Sequence, residues 1–391
     1  MAGEPNMYKT GGNTSTVDAQ TGSRQVQEYY YIKKALIEAA KEKYFGQLAD
    51  VTQMPKHHGK SIRVYHYMPL LDDRNKNDQG IDASGTVIAN GNLYGSSRDI
   101  GTIPGKLPVL REQGGQVNRV GFSRKLIQGT MANYGIYHQF TQDSIQFDSD
   151  EELLEHFNRE LIVGANQLSE DMLQLDLINA AGTIRYTGSA TSNATVADVV
   201  TYSDLMHLAI DLDNNRTPKQ TKIITGTRYI DTRVIPSCRV MFVGSELLPT
   251  LRAMKDLHNN PAFIPVQHYA AGTQVLNGEV GSIDMFRIVV VPEMMAWIGA
   301  GATTAAGFYN ANGKKNVYPM LVVGDESFTT ISFLTDGKTT NFKKIIKKPN
   351  DETASNTDPY GKVGFCSLQW WYGFAALRPE RIAIIKTAAK L

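Results

Sequence analysis

The stretch DSDEELLEHFNRELIVGANQLSEDMLQLDLINAAG, residues 148–182, carries the strongest structural signal in the sequence. Its apolar residues recur every three or four positions, which is the spacing of one face of an α-helix. Ser149 and Glu152 have the spacing of a capping box, and Gly182 is a typical stop signal. We therefore predict one helix over about 150–180, which would run for roughly 45 Å. The stripe predicted to be buried consists of Leu153, Phe157, Leu161, Ala165, Leu168, Met172 and Leu175.

The chain after this helix has α/β texture. Two short helices are predicted, one from TYSDLMHLAIDLDNN and one from SELLPTLRAMKDL, whose proline falls near the first turn. Strands are predicted from KIITG, RVMFVG, MFRIVVV, PMLVVG, SFTTISFL, FCSLQWWYGFAAL and RIAIIKT. The pattern has no fixed-period repeat and indicates an α+β protein whose last part is mostly extended.

The chain before this helix is of a different kind. Residues 1–25 are mostly small and polar and cannot bury enough apolar area to fold alone, so we expect an arm. A helix is predicted over about 26–45 and a strand over 61–67, where apolar and polar residues alternate. Residues 70–115 are long, polar and rich in glycine, which is unusual inside a compact domain. We expect this excursion to leave the body of the subunit and pack on another chain.

Composition excludes several classes of protein. With 391 residues the chain exceeds the size of a single core, roughly 250–300 residues, so more than one packing unit is expected. A formal net charge of +1 argues against a dedicated nucleic-acid-binding protein but leaves room for a local basic face. Two cysteines exclude both a cysteine-based zinc cluster and a disulfide framework, so both are expected to be free thiols. The N-terminus lacks the pattern of a signal peptide, and the longest apolar stretch is too short to span a membrane.

Three motifs suggest ligand sites and fail on inspection. MPKHHGKSIRVYHY, residues 54–67, holds His57, His58 and His66, but their spacing does not converge as zinc ligands must. From Asp73 a calcium-loop pattern begins, yet it lacks the glycine and the bidentate glutamate that such a loop requires. GAGATT, from Gly299, lacks the third glycine and the following helix of a dinucleotide-binding loop. We expect no catalytic, cofactor-binding or metal-binding residues.

The stretch NFKKIIKKPN leaves two interpretations open. It places four lysines around two isoleucines; they are Lys343, Lys344, Lys347 and Lys348. These lysines could form a basic patch that contacts nucleic-acid phosphate without reading its sequence. They could equally protect the edge of a solvated strand against unwanted pairing.

Several blocks of the sequence resemble, in order, the major capsid proteins of tailed bacteriophages, and in particular the N-four-like podovirus branch. The blocks are MPKHHGKSIRVYHYMPLLDDRNKNDQGIDASG, NLYGSSRDIG, GGQVNRVGFSR, FDSDEELLEHF and DPYGKVGFCSLQWWYGFAAL. The resemblance covers about residues 25–391. It implies the Hong Kong 97-type fold, with an N-terminal arm, an extended E-loop, a P-domain with a long spine helix, and an A-domain.

The resemblance also implies domain boundaries. They are the arm over 1–60, the E-loop and its base strands over 61–125, the P-domain over 126–202 with the spine helix, the A-domain over 203–317, a return through the P-domain over 318–364, and C-terminal strands of the A-domain over 365–391. In this arrangement the histidine-rich strand lies where the arm meets the E-loop base.

The implied function is that of a non-enzymatic major capsid protein. Its copies would assemble into hexamers and pentamers of an icosahedral head, in host cytoplasm and then in the virion. The implied partners are scaffolding and portal proteins, a decoration protein, and packaged double-stranded DNA bound without sequence specificity, with no membrane. If the basic patch faces the lumen, it would contact the packaged DNA. Two alternatives stay open at this point: an encapsulating shell of the same fold without a genome, and an α/β enzyme with an unrecognised site.

Overall fold

The computed structural model describes most of the chain, and the strands and helices below lie in the described part. The described residues are 44–48, 50–54, 59–67, 124–147, 153–224, 232–236, 238–269, 276–303, 307–335, 338–339, 342–350 and 358–391. The helices are α1 (Gln142–Phe147), α2 (Leu153–Ala180), α3 (Tyr202–Asn214) and α4 (Leu248–Arg252). The strands are β1 (Asp50–Met54), β2 (Ser61–Tyr67), β3 (Arg124–Thr141), β4 (Thr183–Tyr186), β5 (Gln220–Ile224), β6 (Thr232–Pro236), β7 (Arg239–Val243), β8 (Phe263–Pro265), β9 (Glu279–Ile283), β10 (Phe286–Val290), β11 (Asn310–Ala311), β12 (Lys314–Lys315), β13 (Tyr318–Val323), β14 (Phe328–Thr335), β15 (Lys338–Thr339), β16 (Phe342–Lys347), β17 (Val363–Ala376) and β18 (Ile382–Thr387).

The first sheet is built around β17. Strand β3 runs antiparallel along nearly the whole of β17, from Thr141 opposite Val363 to Thr130 opposite Phe374. On the other side, β16 pairs with the first half of β17 and β14 with its end, while β1 and β2 complete the sheet as the partners of β14 and β3. Residues of β17 alternate between half-buried and buried over most of its length, because one face of the sheet is covered.

The second sheet has the strand order β4-β18-β13-β7-β10-β9-β8. Its central strands β7 and β13 are buried at every position, as expected for strands covered on both faces. Alternation divides them between two cores: Met241 and Val322 pack with α3 and α4 on one face, and Phe242 and Leu321 pack with α2 on the other. The two cores explain why these stretches are continuously apolar in the sequence.

Helix α3 confirms its sequence prediction. The Thr201 side chain accepts a hydrogen bond from the backbone N–H of Asp204, and the Asp204 carboxylate accepts one in return from the N–H of Thr201. This is the reciprocal capping box that favours a helix start. The apolar residues of the buried face follow at helical spacing and enter the first core of the second sheet; they are Leu205, Leu208, Ala209 and Leu212.

Helix α2 confirms the predicted long helix but only part of its predicted stripe. It is described from Leu153 to Ala180, and the predicted capping box lies outside the described residues. Ala165 of the stripe is buried, but Leu168 and Leu175 are exposed, and the buried ridge continues through Leu173, Leu177 and Ile178. The prediction was wrong at Leu168 and Leu175 because two polar residues, Glu170 and Gln174, are buried beside that ridge. Their side chains lie inside the subunit, whereas a prediction based on apolar residues alone places every polar residue on the solvent-exposed face.

The chain passes between the two sheets at one place, which we call the crossing joint: Gly182, residues 324–327 and residues 377–381. The N–H of Gly182 donates to the carbonyl of Pro379, and the N–H of Gly324 donates to the carbonyl of Arg381. Residue 182 must be glycine here, since a Cβ atom would lie 2.6 Å from the Pro379 carbonyl oxygen. Three separate connections are thereby hydrogen-bonded to one another.

The sheets divide the chain at residues that differ from the predicted domain boundaries. Strands β4 and β13 belong to the second sheet although their residues were assigned to the P-domain, and β17 belongs to the first sheet although most of it was assigned to the A-domain. The chain changes sheet at the crossing joint. The predicted domain boundaries stay a prediction, since membership of a sheet does not by itself define a domain.

The predicted arm over 1–25, the helix over 26–45 up to residue 43, and the whole excursion over 70–115 lie outside the described residues. The strand predicted over 61–67 is confirmed as β2. Tyr67 pairs with Arg124, so the two ends of segment 68–123 lie on neighbouring strands. A segment that leaves the body of the subunit and returns to it at one place needs two neighbouring ends, and residues 67 and 124 provide them.

Candidate functional site

The predicted basic stretch forms β16, which lies at an edge of the first sheet. Among the described strands it pairs with β17 alone, with Lys343 opposite Gln369 and Lys347 opposite Phe365. Every residue from Lys343 to Lys348 is exposed. The lysines are therefore available to a partner outside the subunit.

Strand alternation divides this basic stretch between two faces. Lys343, Ile345 and Lys347 point to one side of the sheet, and Lys344 and Ile346 to the other. Lys348 follows the end of the strand. The structure thus brings Lys343 and Lys347 onto one surface and separates them from Lys344, whereas the sequence prediction treated the four as one patch.

Helix α2 carries an exposed apolar stripe that sequence reasoning assigned to the core. Leu168 is 42% exposed and Leu175 is 45% exposed. The opposite side of the helix is tied to the subunit: the Glu170 carboxylate accepts hydrogen bonds from the N–H groups of Phe45 and Gly46, at 3.1 and 3.4 Å. Tyr372 of β17 donates to the Asp176 carboxylate at 2.7 Å, and burial together with this bond raises the pKa of Tyr372. These ties fix which side of α2 faces outward.

The crossing joint holds a cluster of charged groups. Lys222 of β5 lies 3.1 Å from the carboxylate of Glu326 and 3.8 Å from that of Asp325. The hydrogen bond from Lys222 lowers the pKa of Glu326. Burial raises the pKa of Asp325, and the more distant Lys222 offsets this only in part. Arg381 donates to the backbone carbonyl of Asp325 at 2.9 Å, so the cluster links two of the three connections between the sheets, residues 324–327 and residues 377–381.

A buried arginine stands at the start of β7. Arg239 is fully buried and donates to the Asp213 carboxylate and to the Thr217 carbonyl, each at 2.6 Å. Burial opposes ionisation of Asp213, but the hydrogen bond and charge of Arg239, with Lys219 nearby, hold the pKa of Asp213 below its ordinary value. This pair anchors the end of α3 to the second sheet. The sequence did not predict this pair, because a single arginine before an apolar strand is ordinarily expected at the surface.

The loop beginning at Gly299 uses its backbone donors internally. The N–H of Gly299 donates to the Asn316 side chain, that of Gly301 to the Lys315 carbonyl, and that of Ala302 to the Val196 carbonyl. A phosphate-binding loop needs such N–H groups free to face the ligand. The loop is therefore a packed turn.

The remaining sequence motifs yield no assembled site. His57, His58 and the pattern beginning at Asp73 lie outside the described residues, and His66 stands on β2 opposite Lys125. Within the described part of the chain, no three histidine, cysteine or acidic side chains are grouped so as to hold a metal ion. No helix in that part is long and apolar enough to cross a membrane. Cys238 and Cys366 are buried and form no disulfide, and burial raises the pKa of both thiols.

Comparison of the sequence with known proteins gives a match over most of its length. The sequence pattern of the family described as phage capsid protein matches residues 127–387. The major capsid protein of Pseudomonas phage KPP21 is 56% identical over 395 aligned positions, which cover 99% of this chain and 98% of the relative. The chain is thus similar to this relative from end to end.

Comparison of the fold with solved structures finds phage capsids. The capsid of Ralstonia phage GP4 aligns with a TM-score of 0.56 at 10% identity, over 95% of this chain and 98% of that chain. The capsid of cyanophage Pam1 aligns with a TM-score of 0.55 at 13% identity, over 93% and 97% respectively. At this level of identity the likeness concerns the fold alone.

Proposed function

The chain belongs to the phage capsid protein family, and from this premise we propose that its copies form the hexamers and pentamers of an icosahedral head around double-stranded DNA. Its α+β fold is of the Hong Kong 97 type, as the resemblance implied. Its function is that of a major capsid protein, which self-assembles to build the phage head. The observation that carries this conclusion is the 56% identity along the whole chain to a phage major capsid protein.

The role is structural, and we extend this to the proposal that the chain catalyses no reaction of its own. The exposed basic strand β16 and the exposed stripe of α2 are surfaces that a partner can cover, while the loop at Gly299 is closed by its own hydrogen bonds. Assembly in host cytoplasm before incorporation into the virion belongs to the same proposal. So do scaffolding and portal proteins as partners, and a decoration protein on the finished shell.

The proposed contact with DNA rests on β16. Lys343 and Lys347 share one face of the strand and are about four residues apart, a span of roughly 13 Å. Two lysines on one flat surface can contact phosphates without any hydrogen bond to a base, so the contact would be independent of sequence and weakened by salt. The predicted lumen-facing patch had four lysines, Lys343, Lys344, Lys347 and Lys348. The proposal keeps two of them, Lys343 and Lys347, because they lie on one face of the strand.

Expression of the chain with and without a scaffolding protein from a related phage tests the assembly proposal. Negative-stain electron microscopy and sedimentation should show capsomers or closed shells of megadalton mass. A folded subunit that stays monomeric at high concentration under both conditions would overturn the proposal. Shells that form but exclude DNA during packaging would overturn only the part concerning the genome.

A further inference from the structure

The helical cover of the first sheet ends before β16. Leu368 of β17 is buried and packs with Ala165 of α2 and with Trp370. Lys344 lies directly opposite Leu368, and Ile346 lies directly opposite Cys366. Directly opposed residues share a face of the sheet, so Lys344 and Ile346 stand on the side that α2 covers. Ile346 is nevertheless 38% exposed, whereas Leu368 is 2% exposed.

An acidic residue stands beside the exposed stripe of α2. Leu168 and Leu175 are seven positions apart, which puts them on the same side of the helix about two turns from each other. At 100° per residue, the exposed Glu160 falls to one side of this line. This surface of α2 is thus an apolar stripe with an acidic margin, and it faces away from the subunit.

These two surfaces are complementary in charge and in size. The β16 surface is apolar at Ile346 and basic at Lys344. Ile346 is about 7 Å from Lys344 along the extended strand, and Leu168 is about 12 Å from Glu160 along the helix. The flexible lysine side chain covers this difference. An apolar residue with a basic neighbour on one surface is therefore matched by an apolar stripe with an acidic margin on the other.

We propose that the Lys344–Ile346 face of β16 in one copy docks on the Leu168–Leu175 stripe of α2 in a neighbouring copy. The proposal rests on the proposed function, since it assigns surfaces to self-assembly. The occupant of each surface is another copy of this chain. In this arrangement the neighbour's helix continues the helical layer beyond β17 and covers the part of the sheet that the subunit's own α2 leaves open. Two different surfaces meet, and repetition of such a heterologous contact generates a ring when the rotation closes.

The two isoleucines of β16 provide a matched pair of variants. Ile346→Ser removes an apolar contact from the proposed interface, and Ile345→Ser makes the same change on the opposite face at nearly equal exposure, 38% against 40%. We expect Ile346→Ser and Leu168→Ser each to reduce capsomer formation at least tenfold by sedimentation, while Ile345→Ser assembles like the parent. Unchanged melting temperatures would show that the subunits are folded. Equal assembly by all three variants would overturn the proposal.

Cysteine pairing tests the contact directly. Mixing a copy carrying Ile346→Cys with one carrying Leu168→Cys should give a disulfide-linked dimer on mild oxidation, because a bond between these positions forms only between copies. The mixture of Ile345→Cys with Leu168→Cys should give none. If the parent assembles and neither mixture cross-links, the docking inference fails while the proposed function stands. If the parent itself never assembles, the proposed function fails.

Discussion

The pair Arg239–Asp213 makes a prediction at the scale of single residues. Asp213→Asn keeps the shape of the side chain but leaves the fully buried Arg239 without its opposing charge. Breaking a buried pair costs about 3–5 kcal/mol, and since the Asp213 carboxylate is itself 39% exposed we expect about 2 kcal/mol. Urea unfolding of the unassembled subunit measures this loss. Lys219→Ala, which removes only an exposed partner of Asp213, is the control and should cost less than about 1 kcal/mol.

The same pair fixes the direction of a pH effect. The pKa of Asp213 is lower in the folded chain than its ordinary value. Its contribution to stability is therefore complete above the unfolded pKa, about 3.9, and is lost as pH falls through the lower folded pKa. The difference in unfolding free energy between parent and Asp213→Asn should shrink in acid below about pH 4. A difference that stays constant down to pH 2 would contradict the ion pair.

Asp325 at the crossing joint gives the opposite sign. Burial raises its pKa, so the charged form is disfavoured in the folded chain, and stability is reduced as pH rises from the unfolded pKa through the folded one. Asp325→Asn removes this cost and should stabilise the subunit by about 1 kcal/mol at neutral pH, with the gain vanishing in acid. Thermal melts at several pH values measure it. Destabilisation at pH 7 would show that the ion pair with Lys222 outweighs burial.

At the scale of elements, Gly164 within α2 and Gly182 just after its end provide a matched pair of variants. A Cβ at Gly164 would meet nothing within 4 Å, whereas a Cβ at Gly182 would meet the Pro379 carbonyl oxygen at 2.6 Å. Gly164→Ala should stabilise the subunit by about 0.5–1 kcal/mol through helix propensity. Gly182→Ala should destabilise it by about 1–3 kcal/mol, since the crossing joint must move apart. Calorimetry of both variants checks the signs, and a stabilising Gly182→Ala would contradict the close approach.

The strand β16 makes a prediction about the genome. Charge reversal at both Lys343 and Lys347 should lower the DNA retained in heads, and the difference from the parent should be largest at low ionic strength, because salt screens both the lost attraction and the new repulsion. Shells without DNA should form normally, because these lysines stand on the face of β16 away from α2. Ultraviolet absorbance of purified particles across a salt series measures the effect. Packaging equal to that of the parent at every salt concentration would favour edge protection as the role of these lysines.

At the scale of the whole molecule, the excursion over 70–115 is predicted to serve assembly and not folding. Both sheets have buried cores formed by other residues, and the ends of segment 68–123 are already paired through Tyr67 and Arg124. Replacing residues 82–106 with a short Gly-Ser turn should therefore leave circular dichroism and a cooperative melt close to those of the parent. Shell formation should be lost, since an interface needs about 1,000 Å² or more to be stable. A variant that unfolds, or one that still forms normal shells, would contradict this.

Sequence predicted the elements better than their arrangement. The apolar runs of β7 and β13 and the capped α3 were found because local patterns specify them. Strand β3 was missed, since glycines at 129 and 135 and exposed side chains such as Tyr137 hide its alternation. The outward side of α2 was misassigned because Glu170 is buried by a contact with residues 45 and 46, more than a hundred positions away. Distant contacts of this kind leave no local trace.

The order of strands also governs when the protein can fold during synthesis. Strand β17 joins β3 and β2 to β14 and β1, and β18 lies between β4 and β13. Each sheet thus needs a strand that follows residue 360, and a nascent polypeptide keeps apolar strand edges open until β17 and β18 have been synthesised. We expect a chain that stops near residue 360 to have two incomplete sheets, and such copies should not enter a shell.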